Sequence, residues 1–145
     1  MRGIALVFVL AGCSPPGDQG LADHIEAGVD TSAVIDLEAL APFEWDRLYV
    51  VPPYTTEETF ERSGPEWPDR WEWSHTDLRD DRAFLIFALE DEVVSAFDSF
   101  MRDGNFVPHP YFQWRPGGVS PDSARFVVMG RDLVLEADLP DRLRE

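Results

Sequence analysis

The sequence predicts an α+β fold, a small antiparallel sheet of about five strands with one short helix packed on it. Three observations predict it. A strand-like run over residues 43–51 ends at two prolines, a helical stretch with a capping pattern covers residues 54–65, and two hairpin patterns occupy residues 82–97 and 124–137. Strands joined by short turns pair antiparallel, and one helix suffices to cover a face of such a sheet.

Taken in chain order, the first element is an address rather than part of the fold. Met1-Arg2 supplies one positive charge, and Gly3 to Leu10 is eight residues without a polar side chain. A membrane-spanning helix needs about 20 apolar residues, so this segment is too short to anchor the chain and reads as an export signal to be removed. Small residues follow, and the run Leu10-Ala11-Gly12-Cys13 resembles the lipobox of bacterial lipoproteins. The resemblance implies that residues 1–12 are cleaved off, that the Cys13 thiol takes a diacylglycerol, and that the new amino terminus is acylated too. Two or more acyl chains hold far more durably than one. Ordinary secretory cleavage and a buried structural cysteine are the alternatives. Ser14 after the cysteine, rather than Asp, resembles outer-membrane sorting in a cell that has an outer membrane.

Cys13 is the only cysteine, so the folded part has no intramolecular disulfide and rests on its hydrophobic core. The 133 residues from Cys13 onward suit one domain. All 28 acidic residues lie beyond Cys13, against 11 of the 12 arginines, for a net charge of −17 and no lysine anywhere. Such a surface repels phosphate backbones and anionic headgroups. Nucleic acid is excluded as a partner class, and membrane attachment falls to the lipid on Cys13.

Residues 14–20 combine Pro, Gly and polar residues, the composition of a flexible spacer. Residues 21–41 read two ways. Leu21, Ile25 and Val29 have helical spacing, Val34-Ile35-Asp36-Leu37 suits a short strand, and Gly28 and Asp30 interrupt both. The organisation predicted is thus a signal over 1–12, a lipidated and partly ordered tether over 13–41, and one domain over 42–145.

Within that domain, Phe43 to Val51 is rich in aromatic and β-branched residues, and Pro52-Pro53 ends it because proline cannot donate to a ladder. Thr55 with Glu58 fits a capping box, Glu57 and Glu58 suit the positive end of a helix dipole, and Gly64-Pro65 is a stop. A helix of about two turns is predicted, with Phe60 facing the core. Trp71 and Trp73 flank Glu72 as on one face of a strand. The arm Ala83 to Leu89 lacks alternation and reads as buried on both faces; it turns at Glu90-Asp91-Glu92 into Val93 to Phe97. The last hairpin runs Ala124 to Met129 and Leu133 to Ala137 across Gly130-Arg131-Asp132.

A second resemblance rests on Phe43-x-Trp45-Asp46-x-Leu48-Tyr49-Val50, then Pro53-Tyr54-Thr55, a Glu-rich helix ending in Gly64 before Trp67, and Phe84-Leu85-Ile86-Phe87. These residues, spread over about 43–97, look like a family of small uncharacterised bacterial lipoproteins. The resemblance implies an envelope location and this order of elements, and it brings no catalytic residue.

No residue is assigned a catalytic role, and no cofactor or metal is called for. His24, His75 and His109 lie too far apart for the spacings that set two imidazoles on one zinc. Asp77, Asp80 and Asp81, or Glu90, Asp91 and Glu92, offer carboxylates without the alternation or central glycine of an EF-hand loop, and read as solvated charge. The chain has no Gly-x-Ser-x-Gly elbow and no phosphate-binding loop. Asp46 and Arg47 read as an ion pair or loop anchor. The candidate ligand-binding set is Trp67, Trp71 and Trp73 with Tyr54, and Trp114 as a further neighbour, because planar aromatics beside carboxylates stack on sugars and peptide side chains. The competing role for the same residues is core filling. Three functions follow: a non-catalytic envelope module binding another envelope protein or a cell-wall component, a wall-active hydrolase using paired carboxylates, or a structural spacer or accessory subunit.

Overall fold

The structure is a computed structural model that describes residues 19–31, 33–52, 54–73, 82–100, 117–130 and 132–143. Cys13, the first part of the spacer, His75, His109, Trp114 and the carboxylates of Asp77, Asp80 and Asp81 lie outside the described residues.

The helical spacing of Leu21, Ile25 and Val29 and the strand pattern after it are both realised, one after the other. Helix α1 spans Gln19–Thr31 and buries all three side chains. At roughly 1.5–3 kcal/mol for each fully buried aliphatic side chain, that face contributes on the order of 5–9 kcal/mol. Gly28 does not interrupt the helix; a β-carbon there would come within 3.1 Å of Ile35 Cδ1, so its missing side chain lets the next element pack closely. Strand β1, Val34–Asp36, follows and leads into the four-residue helix α2, Leu37–Leu40. Asp36 caps α2 by accepting from the Glu38 and Ala39 N–H groups at 3.1 and 3.3 Å.

Strand β2, Arg47–Val51, is shorter than the run that predicted it. It pairs antiparallel with β3, Arg82–Leu89, Tyr49 lying opposite Ile86. Strand β3 pairs in turn with β4, Glu92–Phe100, across a turn in which Glu90 and Asp91 both hold positive φ (51° and 64°). That is the geometry of a two-residue type I′ hairpin, whose twist matches the strands it joins. Beyond it, the hairpin of β5, Arg125–Met129, and β6, Asp132–Leu135, forms around Gly130 at φ 69°. Helix α3, Glu57–Glu61, lies between β2 and β3 in the chain.

The class predicted, mixed helices and antiparallel strands, is what forms, but the single five-stranded sheet is not. Among the described residues there are two three-stranded sheets, ordered β2-β3-β4 and β1-β5-β6. The second hairpin takes its third strand from β1, in a segment expected to be tether, and does not extend the first. Residues 21–41 therefore belong to the fold, and Trp71 and Trp73 sit in a loop rather than on a strand.

This division explains why β3 carries no alternation. Its inward set on one side, Leu85 and Phe87, joins Leu48, Ile35, Leu37, Phe126, Leu133, Leu135 and the α1 face in one core between the two sheets. Its other set, Phe84, Ile86 and Ala88, joins Tyr49, Val51, Phe60 and Trp67 in a second core beneath α3. Residues 84–88 are all buried, as a strand covered on both faces requires. A register shift between Phe87 and Ala88 is a bulge in the ladder with β4. Backbone bonds extend each sheet beyond its strands: Leu37 N–H donates to Ala124 O at 3.1 Å, continuing the β1–β5 ladder, and Leu48 of β2 exchanges two bonds of 2.8 Å with Val119 in the segment leading to β5.

Candidate functional site

The residues singled out from the sequence converge on the second core, and α3 is the element that gathers them. Thr56, not Thr55, is its cap: the Thr56 hydroxyl accepts from Thr59 N–H at 3.2 Å. Thr55 is buried, and its carbonyl accepts from the Trp73 indole N–H at 3.3 Å instead. The predicted stop holds. Ser63 and Gly64 N–H both donate to the Phe60 carbonyl, at 3.1 and 2.8 Å, and a β-carbon on Gly64 would press on the Phe60 ring at 3.0 Å. Pro65 and the chain after it then fold back over the ring. Phe60 is fully enclosed, as predicted.

Trp67 follows Phe60 into the core and is 2% exposed. Its ring meets Phe60, Trp71, Trp73 and Phe84 at centroid separations of 6.3, 5.9, 5.0 and 5.4 Å, largely edge to face, the arrangement favoured by the ring quadrupoles. Its indole N–H donates to Trp71 O at 2.9 Å and its backbone N–H to Glu61 Oε1 at 2.9 Å. Both N–H groups of this tryptophan are thus engaged. Of the two roles the sequence left open for it, core filling describes Trp67, which presents no stacking face.

Trp71 and Trp73 are half-buried at the rim of the same cluster. One face of Trp71 carries the Arg70 guanidinium, 4.6 Å from the ring centroid. Tyr54 is set apart, 62% exposed and held at φ 64°, a conformation that tyrosine adopts at a cost. The structure thus brings Trp67, Trp71 and Trp73 together, encloses the first, and leaves Trp71, Trp73 and Tyr54 as the aromatic surface available for contact. Trp45, by contrast, packs edge-on to Phe87 in the other core.

Carboxylates gather beside this rim. Glu57 has its pKa raised above the ordinary carboxylate value, first by partial burial and then by the negative charges of Glu61 and Asp69. The Glu57–Glu61 spacing of one helical turn is legible in the sequence, whereas Asp69 joins them only through the fold-back after Pro65. Arg62 pairs with Glu58 on the exposed side of α3.

The remaining candidates resolve as anchors and surface. Asp46 Oδ2 accepts from Glu90 N–H at 3.1 Å, fixing the β3–β4 turn, and Arg47 donates to the Asp46 carbonyl at 3.2 Å, so the loop-anchor reading describes Asp46. Glu90, Asp91 and Glu92 are exposed. Among the described residues, no three His, Cys, Asp or Glu side chains are placed to hold a metal. His24 lies on the exposed side of α1, its Nδ1 2.7 Å from Gly20 O. Arg125 joins Asp36 and Glu136 at 3.9 and 3.0 Å across the sheet β1-β5-β6.

No protein family, curated protein or solved structure matches this chain.

Proposed function

We propose that the protein is a lipid-anchored component of the cell envelope whose folded part is a non-catalytic binding or accessory module. The observation that carries the reading is the order of features at the amino terminus: a short apolar run, then Leu10-Ala11-Gly12-Cys13, then a chain of net charge −17. A domain so acidic is repelled by anionic headgroups, so attachment depends on acyl chains at Cys13. Among the described residues no helix is long and apolar enough to cross a membrane.

A binding role suits the second core. Trp71 and Trp73 offer aromatic contact area at the core that α3 and its carboxylates Glu57 and Glu61 cover, and Tyr54 offers a further exposed ring, groups that stack on planar or apolar surfaces while the carboxylates attract positive charge. The hydrolase alternative calls for two convergent, partly buried carboxyls in a cleft, and the carboxyls gathered at α3 are exposed. Crosslinking in cells with identification of partners, native protein against Cys13→Ser, tests the reading. Expected are acyl groups by mass on the native protein and their loss, together with membrane fractionation and crosslinked partners, in the variant. Unacylated native protein refutes it.

A further inference from the structure

The distance between anchor and fold is set by where the core begins, and α1 moves that point far toward the amino terminus. A tether running from Cys13 to residue 41 spans about 95 Å when fully extended, at roughly 3.4 Å per residue. With α1 in the core, only six residue steps separate Cys13 from Gln19, about 20 Å at full extension. Leu21 is 1% exposed just two positions into the helix, and Ile25 and Val29 follow it into the core between the sheets. The next element, β1, is hydrogen-bonded into a sheet opposite β5 along its whole length. Extending the tether beyond about 20 Å therefore requires undocking α1 from both sheets.

Resting on the lipid reading above, we propose that the folded unit is held against the bilayer surface by this short tether, and that its partner is a protein of the same membrane rather than a wall polymer reached at a distance. A random chain of six residues has a root-mean-square span of about 13 Å, and one of 28 residues about 30 Å. Confinement to a thin layer raises the effective concentration toward anything else carried by that membrane and lowers it toward anything fixed farther away. The acidic exposed side of α1, with Glu26 and Asp30, opposes sinking into anionic headgroups, so the unit is close to the surface without being inserted in it.

The test uses the full lipidated chain. Because Cys13 is the only cysteine and acylation consumes its thiol, His24→Cys gives one labelling site on the exposed side of α1. Energy transfer from a donor there to acceptor-labelled headgroups in vesicles is compared between the native tether and one lengthened by 60 Gly/Ser residues after Ser14. The lengthened tether has a span of about 45 Å, roughly three times the native one. Transfer is expected to be high for the native protein and to fall at least twofold on lengthening. Equal transfer in the two, with acylation confirmed by mass, overturns the proposal alone; absence of acyl groups overturns the lipid reading and the proposal together. In cells, a photocrosslinker replacing Tyr54 is expected to yield adducts with detergent-extractable membrane proteins, about threefold fewer with the long tether. Adducts with the insoluble wall polymer, or a yield unchanged by lengthening, overturn the choice of partner.

Discussion

Replacing Trp67 by Ala separates a core tryptophan from a ligand platform, because the two roles differ by several kcal/mol in folding stability. At 2% exposure nearly the whole side chain is removed from water, and a tryptophan buries roughly 150–250 Å². At about 25 cal/mol per Å² that is about 4–6 kcal/mol as an upper value, and measured Trp→Ala losses in cores run about 3–5 kcal/mol. Four rings lose a partner, and the Trp71 carbonyl loses its donor. A loss of about 4 kcal/mol is therefore expected, against a total stability of roughly 5–15 kcal/mol for a domain of this size. Urea unfolding of residues 14–145, followed by far-UV circular dichroism, measures it. Tyr54→Ala in the same protein is the comparison: the side chain is 62% exposed, and a change within about 0.5 kcal/mol is expected. If Trp67→Ala costs less than about 1 kcal/mol, the enclosed ring cluster is wrong and the stacking face expected from the sequence is right.

Gly118 holds φ 66° and a β-carbon there would lie 2.9 Å from Leu48 O, so Gly118→Ala should lower stability by more than about 2 kcal/mol, whereas Gly117→Ala, in open space at φ 82°, should cost about 1 kcal/mol; thermal unfolding of the pair checks the difference. Asp91→Gly places in the β3–β4 turn the residue that its positive φ favours, and should raise the melting temperature by a few degrees, corresponding to about 1 kcal/mol. The raised Glu57 pKa means that the folded state holds this proton more tightly than the unfolded chain, so Glu57's contribution to stability declines as pH rises from the ordinary carboxylate value through the folded one; carboxyl NMR titration should show Asp69→Asn moving that pKa down. A chain beginning at residue 42 lacks the three buried α1 side chains and β1, and should show no cooperative unfolding transition.

What the sequence made legible was local. Residues 47–51, 82–89 and 125–135 announce strands because β-branched and aromatic runs sit between turn residues, and Phe60 announces its burial by standing alone as an aromatic on a two-turn acidic helix. The division into two sheets was not legible, since it turns on which distant strand each hairpin pairs with, and β1 has only three residues with which to signal. Gly28 and Asp30 obscured α1 because a glycine that admits Ile35 and a glycine that breaks a helix look alike in one sequence. Thr55 and Thr56 both satisfy a capping pattern, and the choice fell to Trp73, which takes the Thr55 carbonyl. The burial of Trp67 hung on the fold-back after Gly64-Pro65, a tertiary event. The carboxylate group at α3 was half legible for the same reason: helical spacing joins Glu57 to Glu61, and only the fold adds Asp69.

The paired bonds between Leu48 and Val119 have a consequence for how copies of this protein meet. Strand β2 lies at the rim of its sheet, where an unclaimed N–H and C=O invite a strand from another molecule. Val119 occupies both groups of Leu48, the second residue of that rim, and Gly118 makes room for it to do so. Where two copies meet, a strand arriving at β2 would have to displace Val119 before it could pair with Leu48.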